Sequence, residues 1–287
     1  MDKVRRSKQP LISRAKSSSL PFQVAAACWV DLLGYGEMIG AAELNPANPK
    51  AKEAIERLRI FHGVVAQHSG RYYRTLVLND GAVAHRDLSL RGSSVTYDFF
   101  ARSFRMFEAI QMAEHSHGWP GARMVLAAGF RAKGSRRAID LKASQLESIL
   151  ARLKNREITA EQAVREAATI ERYFDVLPQL QANFAFTKAY AADSAGRKGG
   201  FEGARFYVEN AIFDTVEGPS WITTGNPVHF QKPHLSIDTT FLPVSELSPP
   251  SCTSAATPGM RDGLQIAEAI APNHSVRKLV QMARAAE

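Results

Sequence analysis

The chain has 287 residues, 45% of them hydrophobic, which is enough for one large core or two small ones. No run approaches the roughly 18 consecutive apolar residues of a membrane span, and two cysteines, Cys28 and Cys252, are too few for a disulfide framework. The net charge of +8 suits a polyanionic ligand such as a triphosphate, although charge alone proves no binding.

Six Lys or Arg fall within the first sixteen residues, and no aromatic residue interleaves them. That argues for a solvated, disordered arm over residues 1–20 and against a nucleic-acid contact. The arm lacks the apolar segment of a signal peptide, so a soluble, cytoplasmic protein is expected.

Residues 22–30 are short and, Gln23 apart, apolar, as a strand buried on both faces would be. Asn48 and Pro49 then offer a cap and a first helical position, and Ile55, Leu58, Phe61 and Val65 recur at helical spacing. Two β-rich runs flank Asn79-Asp80-Gly81, a strong hairpin signal. A helix over about 97–114 carries Phe100, Phe104, Phe107 and Ile110 on one stripe.

Residues 122–130 form another short apolar strand. Ser144 with Glu147, and Thr159 with Gln162, open helices with capping boxes. A helix around 179–195 leads to a strand at "ARFYVE". From about 215 the chain turns Pro- and Ser-rich, and it ends in two short helical patterns. The order β-α-ββ-α-β-α-β predicts an α+β, two-layer sandwich with a mixed or antiparallel sheet, in place of a regular βαβ array. Residues 21–212 are read as one domain with a helical insertion at about 140–175, followed by a C-terminal extension over 213–287.

Asp31 closes the first strand in "AAACWVDLLGYGEMIGAA" and admits three roles: metal ligand, ribose-gripping acid, or turn cap. The ribose role fails on spacing, because Gly34 and Gly36 are followed by Gly40, one residue late for the dinucleotide fingerprint. The metal role needs a second carboxylate, and Asp80 at the hairpin tip is the candidate. Asp80 is equally at home as a turn former. There is no G-x-S-x-G elbow and no P-loop.

"WVDLLGYG" resembles the first metal motif of the class III nucleotidyl cyclases, "VLNDGAVA" the second metal hairpin, and "ARMVLAAGF" the core strand that follows. "NFAFTKAYAADS" is similar to a degenerate form of the family's late helix. The resemblance implies the class III fold, a homodimer with active sites at its interface, and a nucleoside triphosphate substrate. It further implies two divalent ions per site, Mn2+ or Mg2+, held by Asp31, Asp80 and the Leu32 carbonyl. Gly34 and Tyr35 would hold phosphate, and Phe22 and Arg74 would meet the base or phosphate.

Two departures stand out. Leu76 occupies the position of the charged purine reader, and Thr187 and Ala191 occupy those of the late-helix Asn and Arg. Lys188, Arg197 and Lys198 are candidate replacement cations. The departures leave two readings open. One is a Pycsar-type antiphage cyclase that makes a cyclic pyrimidine nucleotide, UTP favoured over CTP. The other is a catalytically degenerate nucleotide-binding sensor.

Overall fold

The computed structural model describes residues 20–133, 141–170, 177–248, 250 and 256–285. The basic arm before Leu20 lies outside them. The chain divides into two compact units, Met1–Arg131 with Asn183–Glu287, and Ala132–Ala182.

In the first unit, β1 (Phe22–Leu32) is followed by α1 (Tyr35–Ala41) and α2 (Ala51–His68). The hairpin β2 (Arg74–Leu78) and β3 (Gly81–Asp87), then α3 (Ser93–Ser116) and β4 (Ala122–Ala132), complete a split β-α-β-β-α-β unit. Its strands lie in the order β2-β3-β1-β4. After α6 (Phe184–Ala195), β5 (Phe206–Glu209) adds parallel to β4. The C-terminal region supplies β6 (Ile222–Thr224), β7 (Val228–Lys232) and β8 (Ile237–Leu247). β8 pairs antiparallel with β5, and β6 and β7 both pair with β8. The region read as an extension therefore completes an eight-stranded sheet. It also closes the core, through Leu264 and Ile266 of α7 (Gly263–Ala269) and Val280 of α8 (His274–Ala285).

Strand periodicity sorts β1 into two faces. Val24, Ala26, Cys28, Val30 and Leu32 join the large core with Phe61, Val65, Phe99, Phe100, Phe104 and Ile110 from α2 and α3. Ala25, Ala27, Trp29 and Asp31 alternate onto the other face, which α6 covers at β1. Trp29 packs there against Phe186 and Tyr190. The α+β architecture with a mixed sheet is as expected, with α2 and α3 on one face of β1 and α6 on the other.

Local signals fared unevenly. Thr159 and Gln162 form both bonds of a capping box ahead of α5 (Ala160–Ala168). Ser144 does not cap, because α4 begins three residues earlier (Leu141–Lys154). Asn48 accepts from the Lys50 amide at 3.0 Å in an Asx turn, so α2 starts later than expected, at Ala51. Ile55 is exposed, and Ala54, Arg57, Phe61 and Val65 form the buried stripe of α2.

α6 sits close to the sheet because β4 carries Gly129 beneath its first turn. A Cβ there would lie 2.4 Å from the Ala185 nitrogen and 2.8 Å from its Cα. Both are backbone atoms, so they cannot swing aside. Gly129→Ala is expected to lower stability by about 2–3 kcal/mol. A thermal melt equal to wild type would show that α6 does not rest on this contact.

The second unit contains α4 and α5, joined by an Arg152–Glu166 ion pair with an N···O distance of 2.6 Å.

Candidate active site

The end of β1 is built by one strand register and two backbone hydrogen bonds. Asp31 registers against Gly81 of β3, and the Leu32 amide donates to the Asp80 carbonyl at 3.1 Å. The Leu33 amide donates to the Gly121 carbonyl at 2.9 Å. The hairpin tip turns on Asn79 at φ 57, a left-handed conformation that Asn tolerates, and its Nδ2 donates to Asp80 Oδ1 at 3.0 Å.

Gly81 is required by packing. A Cβ there would stand 2.5 Å from two ring atoms of Trp29, whose indole lies over it. The same indole meets the Tyr190 ring edge-on, with centroids 5.3 Å apart, and donates from Nε1 to Asp193 Oδ2 at 3.0 Å. Arg123 of β4 completes the group. Its Nε donates to Asp193 Oδ1 at 2.6 Å, its Nη2 to the Asp193 carbonyl at 2.8 Å and its Nη1 to the Phe201 carbonyl at 3.1 Å.

Asp31, Asp80, Asp193, Arg123, Trp29 and Tyr190 all line one open cavity of about 650 Å³. The local charge is unbalanced, since three carboxylates share one guanidinium that is already bound to Asp193. The Asp31 carboxyl is accordingly pushed up to about 7, first by burial, then by the negative charges of Asp193 and Asp80, with Arg123 opposing. Tyr35 is buried; its phenol is raised by burial and by Asp80, and lowered by Arg57.

Asp31, from β1, and Asp80, from the turn between β2 and β3, thus reach one cavity, and Leu32 bonds through its amide to the Asp80 carbonyl. Gly34 follows at φ 72 and Tyr35 opens α1. Phe22 stands at the other end of β1 and packs on Phe130 with centroids 4.5 Å apart, on the core face. Arg74 begins β2, opposite His85, at the end of that strand remote from Asp80. Neither joins the acids. Thr187 donates its hydroxyl to the Asn183 carbonyl, Ala191 is buried, and Lys188 is paired with Glu209. None of these three supplies a cation to the cavity. Arg197 and Lys198 are exposed on the 3-10 turn that follows Gly196, a cavity residue.

The contributions of Asp193, Arg123, Trp29 and Tyr190 were not read from the sequence. The available signal was the lone acid Asp193 within an Ala-rich helix.

Among the described residues, no cluster of three or more His, Cys, Asp or Glu forms a ready-made metal cage. Two carboxylates and a carbonyl fit instead a cation such as Mg2+ or Mn2+ that arrives largely ligated by phosphate and water. The uncompensated negative charge around Asp31 favours such a cation.

Among solved structures the chain is similar to the guanylyl cyclase Cya2, at 13% identity and TM-score 0.48, over 82% of this chain and 98% of that one. It is similar to the non-canonical dimeric guanylyl cyclase domain of the RhoGC fusion protein from the aquatic fungus Blastocladiella emersonii, at 8% identity and TM-score 0.40, over 79% and 97%. It is also similar to the guanylate cyclase domain of RhGC from Catenaria anguillulae in complex with GTP, at 7% identity and TM-score 0.40, over 78% and 97%. No family model and no curated protein matches the chain. No described helix is long and apolar enough to cross a membrane.

Proposed function

We propose that this protein is a cytoplasmic, metal-dependent nucleotidyl cyclase that closes a pyrimidine ribonucleoside triphosphate, UTP ahead of CTP, into its 3′,5′-cyclic monophosphate. The observation that carries the reading is the convergence of Asp31 and Asp80, from two separated motifs, on one cavity where a cation is electrostatically wanted. Asp31, Asp80 and the Leu32 carbonyl would hold two divalent ions, Mn2+ or Mg2+. Bound there, such ions supply Lewis acidity and neutralise the triphosphate.

In the reaction the substrate 3′-oxygen bonds to the α-phosphorus, and the bond from that phosphorus to the bridging oxygen breaks. Pyrophosphate leaves and the hydroxyl proton passes to solvent. Arg123 keeps Asp193 occupied, so that acid orients Trp29 without competing for cations. Gly34 and Tyr35 border the triphosphate.

The pyrimidine preference rests on Leu76, which offers no charged edge to a purine. A homodimer is supported by the exposed apolar rim of the cavity, Leu78 and Tyr190, 48% and 50% exposed. It would bring Arg74 and Leu76 of one protomer towards the partner's acids, with Arg197 and Lys198 as phosphate cations. A role as an antiphage signal follows from the Pycsar resemblance.

The sensor reading is favoured by one observation: Thr187, Lys188 and Ala191 are all turned to structural uses. Incubation with each of the four ribonucleoside triphosphates and Mn2+, followed by product chromatography, separates the readings. Cyclic UMP, with less cyclic CMP, is expected. Product from ATP or GTP alone refutes the base preference, and nucleotide binding without product supports the sensor.

A further inference from the structure

Arg57 of α2 is fully buried, and so is its partner Glu114 of α3. Its Nε donates to both Glu114 carboxylate oxygens at 3.1 Å. The Nη2 group also reaches Glu114, and extends to the Leu33 carbonyl at 2.9 Å and the Gly121 carbonyl at 3.3 Å. Nη1 lies 3.4 Å from the Met38 sulfur of α1, and the guanidinium carbon sits 5.6 Å from the Trp119 ring centroid. One side chain therefore ties α2 and α3 to the loop after Asp31, to α1 and to the residue before β4.

Stability alone is a poor reason for such a pair, because apolar replacements of buried ion pairs are often neutral or stabilising. The carbonyls it takes are more informative. Peptide units are planar and trans, so a carbonyl turned to one side sends the next amide N–H to the other. With the Leu33 carbonyl held inward by Arg57, the Gly34 N–H faces the opposite side, and no described residue accepts it. With the Leu33 N–H held by the Gly121 carbonyl, the Leu32 carbonyl faces away from Gly121. Arg57 grips both of the carbonyls that set these orientations.

We infer that Arg57, held in place by Glu114, is a positioning residue that fixes the backbone of Leu32, Leu33 and Gly34 beside Asp31. The inference rests on the reading of Asp31 and Asp80 as a cation and triphosphate site. A lysine in its place keeps the charge but loses the fork needed to serve a carboxylate and two carbonyls at once.

The test uses the full chain and two readouts: amide exchange over residues 32–35, and Mn2+ affinity measured by electron paramagnetic resonance with 3′-deoxy-UTP, which cannot cyclise. Arg57→Lys is expected to speed exchange over 32–35 at least about tenfold and to weaken Mn2+ binding about tenfold. Glu114→Gln shifts both in the same direction by less, and serves if Arg57→Lys does not fold. Ile110→Val, a destabilising change in the core face of α3, should leave both readouts unmoved. A folded Arg57 or Glu114 variant with wild-type exchange at 32–35 overturns the inference, whatever the protein binds. Wild type that fails to bind Mn2+ with the nucleotide overturns the site reading instead, and the exchange measurement still decides the role of Arg57.

Discussion

Asp31→Asn is expected to make the metal-free protein more heat-stable while removing at least about 99% of Mn2+-dependent turnover. The first effect comes from burial of a carboxylate among others. The unfolded Asp31 carboxyl ionises near 3.8, whereas in the folded protein it holds its proton up to about 7. Between those values the folded state binds the extra proton, so wild-type stability falls as pH rises from about 4 to 7 and is flat above.

The asparagine carries no such slope, so its advantage grows across that window. Discounted for partial exposure it reaches about 1–2 kcal/mol, or roughly 2–5 °C in melting temperature at pH 8. Loss of turnover follows because the amide cannot supply charge to a cation. For the same reason, Mn2+ affinity of the wild type should rise up to about pH 7 and then level. Melts of both proteins across pH 4–8, with turnover at pH 8, decide the matter. A variant that melts lower at pH 8, or that keeps wild-type turnover, would return Asp31 to the role of a turn cap.

The second large effect is expected at Glu209, far from the acids. This carboxylate is wholly buried and accepts from the Ala128 amide at 2.8 Å and the Thr239 hydroxyl at 2.8 Å, besides its ion pair with Lys188. It joins β4, β5, β8 and α6 at one point. Glu209→Ala leaves a buried amide and a hydroxyl without their acceptor, and a nearly buried ammonium with only the Ala128 carbonyl, at 2.9 Å, and should cost about 3–5 kcal/mol. Glu209→Leu combined with Lys188→Met should recover the part of that loss that comes from the stranded ammonium, while the Ala128 amide and the Thr239 hydroxyl stay without an acceptor. Chemical denaturation of the single and double variants measures the coupling. Additive losses would mean that Lys188 and Glu209 are not coupled in solution, and would restore Lys188 as a candidate cation for the site.

The elements that sequence revealed best are those whose pattern is local. β1 reads as apolar from Val24 to Val30 because α6 covers the face that solvent would otherwise touch, and the β2–β3 hairpin announces itself through Asn-Asp-Gly. The Asp31–Asp80 pair became legible because both acids sit at strand ends next to turn chemistry. What escaped depends on tertiary partners. The strands β6 and β7 are short and β8 carries Pro243, a poor strand signal, and they pair with β5 and with one another. Asp193 could not be assigned because its meaning lies in Trp29 and Arg123, 164 and 70 residues away in sequence. Arg57 was not singled out, because nothing in its sequence neighbours signals the carbonyls it holds. Phe22 and Arg74 were placed near the acids by motif order, yet a strand separates its two ends by its full length.

The pairing of β5 with β8 bears on how this protein is made. β5 has four residues, all buried, between β4 on one edge and β8 on the other. Phe241, Leu242, Pro243 and Val244 face it from more than thirty residues downstream, and Leu264 and Val280 close the same core later still. A ribosome that has released only the first two motifs has therefore synthesised both acids of the site, but not the strand that seals the sheet. Until β8 docks, the nascent chain presents an unpaired strand edge and an open apolar face, the features that recruit chaperones or invite aggregation. Commitment to the native state thus waits for the last quarter of translation, and a pause or truncation there would leave a chain that contains its chemistry and cannot assemble it.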